Sequence, residues 1–336
     1  MLRILHDTNY DFIKFWKQSV IGTAAFIILG FVLLGVHAAR YHGEALNYSV
    51  EFTGGTVVQL HFAKAAPPDI VRGAVDAAGF AGSEVTTFGT PTDYMIKSPP
   101  KEGALAAENA DSVGAHITEI LKQRIPDNPA TVQQAQSVGP RVGAELKTKA
   151  ITAILISFAV TLIYLAIRFE WRFGVAAVIA TAHDILTTLA FLAMMRLEIS
   201  LAVVAALLTV IGYSLNDTII IFDRVRENLK KQRKESLREV LNRSINETLP
   251  RSVLTHATVL AATLALLIFA GEVIRPFSWV MAFGVFTGTF SSIYVAGPVL
   301  LWIEHKYPRS TDKQHKGEAR ALTEGRKRDR APVGAP

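Results

Sequence analysis

Long apolar runs alternate with polar segments along the chain, and the runs are too long and too uniform for amphipathic helices of a soluble core. Six of them, at 20–38, 150–167, 173–195, 199–222, 253–270 and 277–303, match or approach the roughly twenty helical residues that cross a hydrocarbon layer. Charged residues precede the first run, but no small-residue cleavage site follows His37-Ala38-Ala39-Arg40. It therefore reads as a retained anchor and not as a signal peptide.

Basic residues fix the expected orientation. Arg3, Lys14 and Lys17 precede the first run, and Arg168 and Arg172 separate the second from the third. Arg224, Arg226, Lys230, Lys231, Arg233, Lys234, Arg238 and Arg243 crowd the link between the fourth and fifth, and Lys306, Arg309 and Arg326-Lys327-Arg328 follow the sixth. Short loops rich in Lys and Arg stay in the cytoplasm, so these four segments share that side, with both termini. The expected layout is a cytoplasmic N-terminus at 1–19, a first transmembrane helix at 20–38, and an extracytoplasmic domain at 39–149. A five-helix transmembrane region at 150–303 and a basic, disordered cytoplasmic tail at 304–336 complete it.

Within 39–149 the periodicity changes. The alternating 56–62 (TVVQLHF) predicts a strand, and 68–78 predicts a helix opened by Pro68 and closed by Gly79. Segments 84–88 and 94–97 predict paired strands around a turn at Gly89-Thr90-Pro91-Thr92-Asp93; a helix at 104–123 and a strand at 130–138 follow. This is the β-α-β-β-α-β order of a ferredoxin-like α+β domain. The fold class is then a six-transmembrane α-helical bundle with one such domain between its first two spans.

Composition sharpens this picture. Of 336 residues, 50% are hydrophobic and 19% charged, which excludes an ordinary soluble domain. The net charge of +6 would suit nucleic acid, but the basic residues lie where topology puts them, and the charged stretch 223–243 reads as a solvated, partly amphipathic linker drawn to anionic lipid. With no cysteine there is no disulfide framework, thiolate metal site or cysteine nucleophile. No His, Asp or Glu pair has zinc-like spacing within one span, so neither a metal site nor a catalytic site is predicted.

Ionisable residues inside apolar runs are costly and therefore informative. His183 and Asp184 lie near the middle of the third run, and Asp217, beside Asn216, lies in the fourth, about 8 Å from its cytoplasmic end at 1.5 Å per residue. Arg251 opens the fifth run from the same side, with His256 a little over a turn deeper. Depth alone lets Asp217 meet Arg251, a pairing that would hold the charge and whose loss would admit a proton. The bland reading of that pair is a structural pin between two helices; for Asp184 it is hydrogen bonding to Ser or Thr of a neighbouring helix. Gly284, Gly288, Ser292 and Ala296 form a small-residue stripe at fourfold spacing, which predicts close helix packing within the chain or against a partner. Gly54-Gly55, after Phe52-Thr53, reads as a turn, since no Lys and helix follow to make a phosphate loop.

Taken together, several motifs resemble the SecF members of the SecD/SecF family, within the resistance-nodulation-division superfamily. They are Glu51-Phe52-Thr53-Gly54-Gly55-Thr56, Ser137-Val138-Gly139-Pro140, Arg168-Phe169-Glu170-Trp171-Arg172, His183-Asp184, Gly212-Tyr213-Ser214-Leu215-Asn216-Asp217-Thr218 running into Ile221-Phe222-Asp223-Arg224-Val225-Arg226-Glu227-Asn228, and Gly288-Thr289-Phe290-Ser291-Ser292-Ile293. The resemblance implies a multi-pass protein of the bacterial inner membrane, paired with SecD and serving the SecYEG channel together with YajC and YidC. It implies use of the proton motive force to complete export of polypeptides, with protons, exported chain and membrane lipid as partners, and no nucleic acid, cofactor or enzymatic reaction. By position, Asp217 matches the proton-handling carboxylate and Arg251 its basic partner, with Asn216, Asp184 and His256 nearby. Two residues depart from the family pattern: Glu51 stands where Asp is usual, and His256 where a small hydroxyl residue is usual. A proton-driven exporter of small molecules or lipid within the same superfamily is the alternative; a one-domain, six-span chain fits it less well than the twelve-span layout usual there.

Overall fold

The computed structural model describes residues 8–41, 45–99, 110–231 and 235–308. Among the described residues, six helices long and apolar enough to span a membrane form a bundle, and a small sheet domain sits at one end of it. Four of the spans are α1 (Trp16–Arg40), α5 (Pro140–Arg168), α6 (Trp171–Met195) and α7 (Leu201–Lys231). The fifth is α8 (Leu237–Phe269), and the last joins α9 (Arg275–Ser291), a π turn (Ser292–Ala296) and α10 (Gly297–Lys306). Helices α6, α7 and α9 make the packed centre, whereas α1, α5 and α8 turn large side chains such as Ile28, Leu155, Ile163 and Phe269 outward. Such faces suit lipid or another apolar helix.

The sheet domain follows a single-turn helix α2 (Val50–Thr53). It runs β1 (Gly55–Phe62), α3 (Pro68–Ala77), β2 (Glu84–Phe88), β3 (Thr90–Ser98), α4 (Ala110–Arg124) and β4 (Ala130–Val138), the β-α-β-β-α-β order expected. All neighbours are antiparallel in the order β2-β3-β1-β4. Val58 opposite Ile96 and Leu60 opposite Tyr94 put alternate side chains of the central strands on one face, where Val71, Val75, Ile117 and Leu121 of α3 and α4 cover them. The buried Tyr94 hydroxyl donates to Ala66 O at 2.7 Å, so its polar end is satisfied in an otherwise apolar core.

The structure corrects the expectations at several places. The β2–β3 ladder runs regularly to Thr87 opposite Tyr94, and the chain turns over the expected 89–93. Within that turn the register shifts, so that Phe88 faces Thr90 across Gly89 at φ 79° while 91–93 bulge away from β2, and Asp93 meets His61 of β1 at 2.5 Å. The charged stretch 223–243 is no solvated linker: in its described part it is the end of α7 and the start of α8. Val225, Val240 and Leu241 are fully buried there, and Asn228 donates to Ser244 Oγ at 3.0 Å and Glu247 Oε2 at 2.7 Å. Ser236 and Glu239 form a reciprocal cap that starts α8 sharply. Helix α5 begins at Pro140, ten residues before its apolar run, and α7 and α8 likewise outlast theirs. The first residues of the expected 104–123 helix and most of the expected tail lie outside the described residues.

The small-residue stripe packs inside the chain. A Cβ on Gly284 would lie 2.7 Å from one Val210 methyl and closer still to the other, and one on Gly288 would lie 2.9 Å from the Ser214 Cβ, so α9 sits directly on α7.

Candidate functional site

That close approach of α7 and α9 gathers two buried carboxylates and four serines into the middle of the bundle. Asp217 on α7 is 4% exposed and Asp184 on α6 is 1% exposed. The Asp217 carboxylate accepts from Ser252 Oγ of α8 at 2.5 Å and from Ser292 Oγ, the first residue of the π turn, at 2.8 Å. Asp184 accepts from Ser214 Oγ of α7 and from Ser291 Oγ of α9 at 2.7 Å, and its other oxygen lies 3.1 Å from His183 Nδ1. The neighbouring residues Ser291 and Ser292 thus serve different carboxylates.

Both serines have a second acceptor one turn back on their own helix. Ser291 Oγ lies 3.2 Å from Gly288 O and Ser292 Oγ 3.0 Å from Thr289 O. Each hydroxyl can therefore point at a carboxylate or fall back on its own backbone without losing a hydrogen bond. The π turn that begins at Ser292 adds a residue to the helical repeat here, and such turns recur at functional positions.

Of the residues named from sequence, Asp217, Asp184 and Ser292 meet in this cluster, and His256 backs it. His256 Nδ1 donates to the Ser252 carbonyl at 2.5 Å, which fixes the proton on that nitrogen, and the ring packs edge-on against Tyr213 at 5.2 Å. Its Nε2 is buried with no hydrogen-bond partner among the described residues. Arg251 does not join: it is exposed, and the contacts expected of it at Asp217 are made by the next residue, Ser252. Asn216 likewise points away and is exposed. Among the described residues no Lys or Arg makes an ion pair with either carboxylate; the neutral hydroxyls, with His183 at Asp184, hold them. Ser292, read from sequence as a packing residue, is a ligand of Asp217; Ser214 and Ser291 stand in the motifs of the family resemblance without a role read for them, and Ser252 has no sequence signal beyond polarity on an apolar helix.

The Phe52-Thr53-Gly54-Gly55 segment forms a second, structural site at the sheet-domain end of the bundle. Phe52 is buried with Leu192, Ile199 and Val203 of the bundle. Gly54 (φ 74°) closes α2 and Gly55 (φ 118°) opens β1. A side chain on Gly54 would meet Pro140 Cα at 2.8 Å, and one on Gly143 would meet Gly54 N at 2.9 Å, so the glycines admit α5 against α2.

The family model described as "Protein export membrane protein SecD/SecF, C-terminal" matches residues 117–306, and "SecD/SecF GG Motif" matches residues 45–66, which include Gly54-Gly55. The chain is similar to the protein translocase subunit SecF of Gemmatimonas aurantiaca, 54% identical over 329 residues that cover 97% of this chain and 95% of that one. It is 36% identical to SecF of Escherichia coli O157:H7 over 91% of this chain and 92% of that one. Among solved structures it resembles SecDF of Thermus thermophilus, described as a translocon-associated membrane protein. That match has a TM-score of 0.75 and 34% identity, and it covers 91% of this chain but 40% of that longer one.

Proposed function

The chain belongs to the SecD/SecF family of protein-export membrane proteins, as a SecF-type translocase subunit, and from that premise we propose that proton binding at Asp217 drives its part in export. It works as an accessory subunit, not an enzyme, in the bacterial inner membrane with both termini cytoplasmic. SecD is its partner, and SecYEG, with YajC and YidC, is the channel assembly it serves. The SecDF likeness supports the SecD partnership, since this chain corresponds to 40% of that protein.

One observation carries the proposal: Asp217 is buried at membrane depth and tied to two other helical segments by neutral donors alone. With no fixed cation in contact among the described residues, a proton is the means of neutralising the carboxylate. Ionised, Asp217 accepts charge-assisted bonds from α8 and the π turn. Protonated, it gains a donor and keeps only neutral acceptors, and Ser292 can turn to Thr289 O. Charge-assisted bonds exceed neutral ones by about 1 kcal/mol each, so the two bonds bias α7 against its neighbours by ~2 kcal/mol, a ~30-fold population shift. Asp184, served by the adjacent Ser291, senses the same rearrangement and is the second proton-linked group; His256 fixes the Ser252 turn that holds Asp217, and Arg251, exposed, stands outside the cluster.

The test is precursor translocation into inverted membrane vesicles, with and without an imposed proton gradient, for wild type and Asp217→Asn at equal protein level. The expected result is loss of the gradient-dependent part with ATP-driven translocation intact. Unchanged gradient dependence would overturn the proposal.

A further inference from the structure

The helix that carries Asp217 begins under a carboxylate from the sheet-domain side of the chain. Glu51 Oε2, on the single-turn α2, accepts the backbone N–H of Leu201, the first residue of α7, at 2.6 Å, and Ser49 Oγ lies 3.3 Å from the same oxygen. A carboxylate there meets both an unsatisfied amide and the positive end of the helix dipole. The surrounding backbone is stitched to the same place: Ser49 N donates to Ile199 O at 3.0 Å and Ile199 N to Asn47 O at 2.7 Å. Asn47 Nδ2 donates to Arg196 O at 3.3 Å, and Lys97 of β3 pairs with Glu198 at 2.7 Å.

On its opposite side α2 is pressed on the start of α5, with room for no side chain on Gly54 or Gly143. Thus α2 is a wedge between the first turns of α5 and α7, and it continues into the sheet through Gly54-Gly55, two consecutive residues at positive φ leading into the central strand β1. A tilt of α7 relative to α5 has to move this wedge. Asp217 lies sixteen residues along α7 from Leu201, or about 24 Å, so a small tilt started at the carboxylate is delivered at the helix start as a displacement.

We propose that Glu51 is the positioning residue that transmits the tilt of α7 to the sheet domain, with α2 as the lever and Gly54-Gly55 as its joint. The proposal rests on Asp217 as the proton site, and it assigns a task to the Glu51-Phe52-Thr53-Gly54-Gly55 motif that the carboxylate cluster leaves unexplained. A carboxylate is suited to the role because its bond to a helix start is strong yet single, so it holds α7 without fixing its tilt.

The experiment is backbone hydrogen exchange on the full chain with SecD in lipid, comparing wild type, Asp217→Asn, Glu51→Gln and the double variant. Glu51→Gln is expected to speed exchange in the first turn of α7 about tenfold. Asp217→Asn is expected to change exchange severalfold in α2 and at the start of β1, and this change is expected to vanish in the double variant. Because the chain has no native cysteine, Tyr48→Cys with Ile199→Cys, the two residues that face each other across a parallel bridge, in a Glu51→Ala background supplies a covalent substitute: oxidation is expected to restore the transmitted change and reduction to remove it. An Asp217→Asn effect on α2 that is the same with and without Glu51, or a cross-linked chain with a native sheet core and no restored change, would overturn the proposal. The two readings fail separately. If Asp217 is not the proton site, Asp217→Asn leaves gradient-driven translocation intact; if Glu51 is not the link, Asp217→Asn abolishes it while Glu51→Gln leaves it at the wild-type rate instead of lowering it about tenfold.

Discussion

Replacing Gly284 by alanine is the sharpest test of how the carboxylate cluster is held. The new methyl would sit 2.7 Å from one Val210 methyl and closer still to the other. Ordinary carbon contacts are about 3.8 Å, so α9 has to back away from α7 by at least about 1 Å, or Val210 has to leave its place. Val210 is 3% exposed and β-branched on a helix, where one rotamer dominates, so turning it aside is costly. Overpacking of this kind costs about 1–3 kcal/mol. A retreat of that size would also break the bonds by which α9 and the π turn reach the carboxylates, 2.7 Å at Ser291 and 2.8 Å at Ser292. The assay is thermal unfolding in detergent together with gradient-driven translocation, for Gly284→Ala, Val210→Ala and the pair. The expected outcome is a marked loss in Gly284→Ala that Val210→Ala largely reverses, a coupling energy of about 1–2 kcal/mol. Additive losses, or a Gly284→Ala protein as stable and active as wild type, would refute the packing argument.

Ser292→Ala removes a donor to Asp217 and should cost about 1.5–3 kcal/mol in the state with that carboxylate ionised, so gradient-driven translocation should fall while the protein stays folded; equal rates at matched expression would contradict this. Asn228→Ala breaks the α7–α8 hairpin at its polar core and should destabilise the chain by about 2 kcal/mol, read as a lower unfolding temperature. In the sheet domain, the Thr90 hydroxyl and then His61 hold the Asp93 carboxyl below its usual range. A depressed carboxylate stabilises the fold above its unfolded value and loses that contribution as pH falls through its folded value. Thr90→Val should therefore raise the Asp93 titration seen by carboxyl-carbon resonance and make the domain less resistant to denaturant at neutral pH, a difference that starts to shrink as pH falls below about 4 and closes only below the depressed folded value, where Asp93 takes up its proton.

What the sequence discloses, and what it hides, divides along one geometric line. Depth in the membrane can be counted along a helix, and that is why Asp184, Asp217 and the Gly284–Gly288 stripe stand out in the sequence alone. Rotation about the axis relative to a neighbour cannot be counted, and consecutive residues differ by about 100°. One residue therefore separates the exposed Arg251 from Ser252, which reaches Asp217, and the exposed Asn216 from the buried Asp217. The strands of the sheet domain are legible because period-two alternation is strong in β1, whose buried Val58, Leu60 and Phe62 lie two apart. The charged hairpin reads as a linker because its buried stripe, Val225 on one helix and Val240, Leu241 and Ile245 on the other, is thin beside so many Lys and Arg. Tertiary packing, not composition, decides such a segment.

Helix α5 has 29 residues, of which the apolar run 150–167 spans about 27 Å, close to a hydrocarbon core near 30 Å, while its first ten residues lie before that run. Gly143 fastens one end to α2, Leu165 is buried at the other, and the residues between, among them Leu155, Ile156 and Val160, face mostly outward. A rod fastened at its ends and bathed in between responds to the thickness of what surrounds it. An apolar run that only just matches the layer has little slack, so a thicker bilayer must thin around α5 and a thinner one leans it over, at fractions of a kcal/mol per ångström. Acyl-chain length is then a condition to hold fixed when the domain is compared across membranes, because the start of this same helix packs against α2 beneath the sheet.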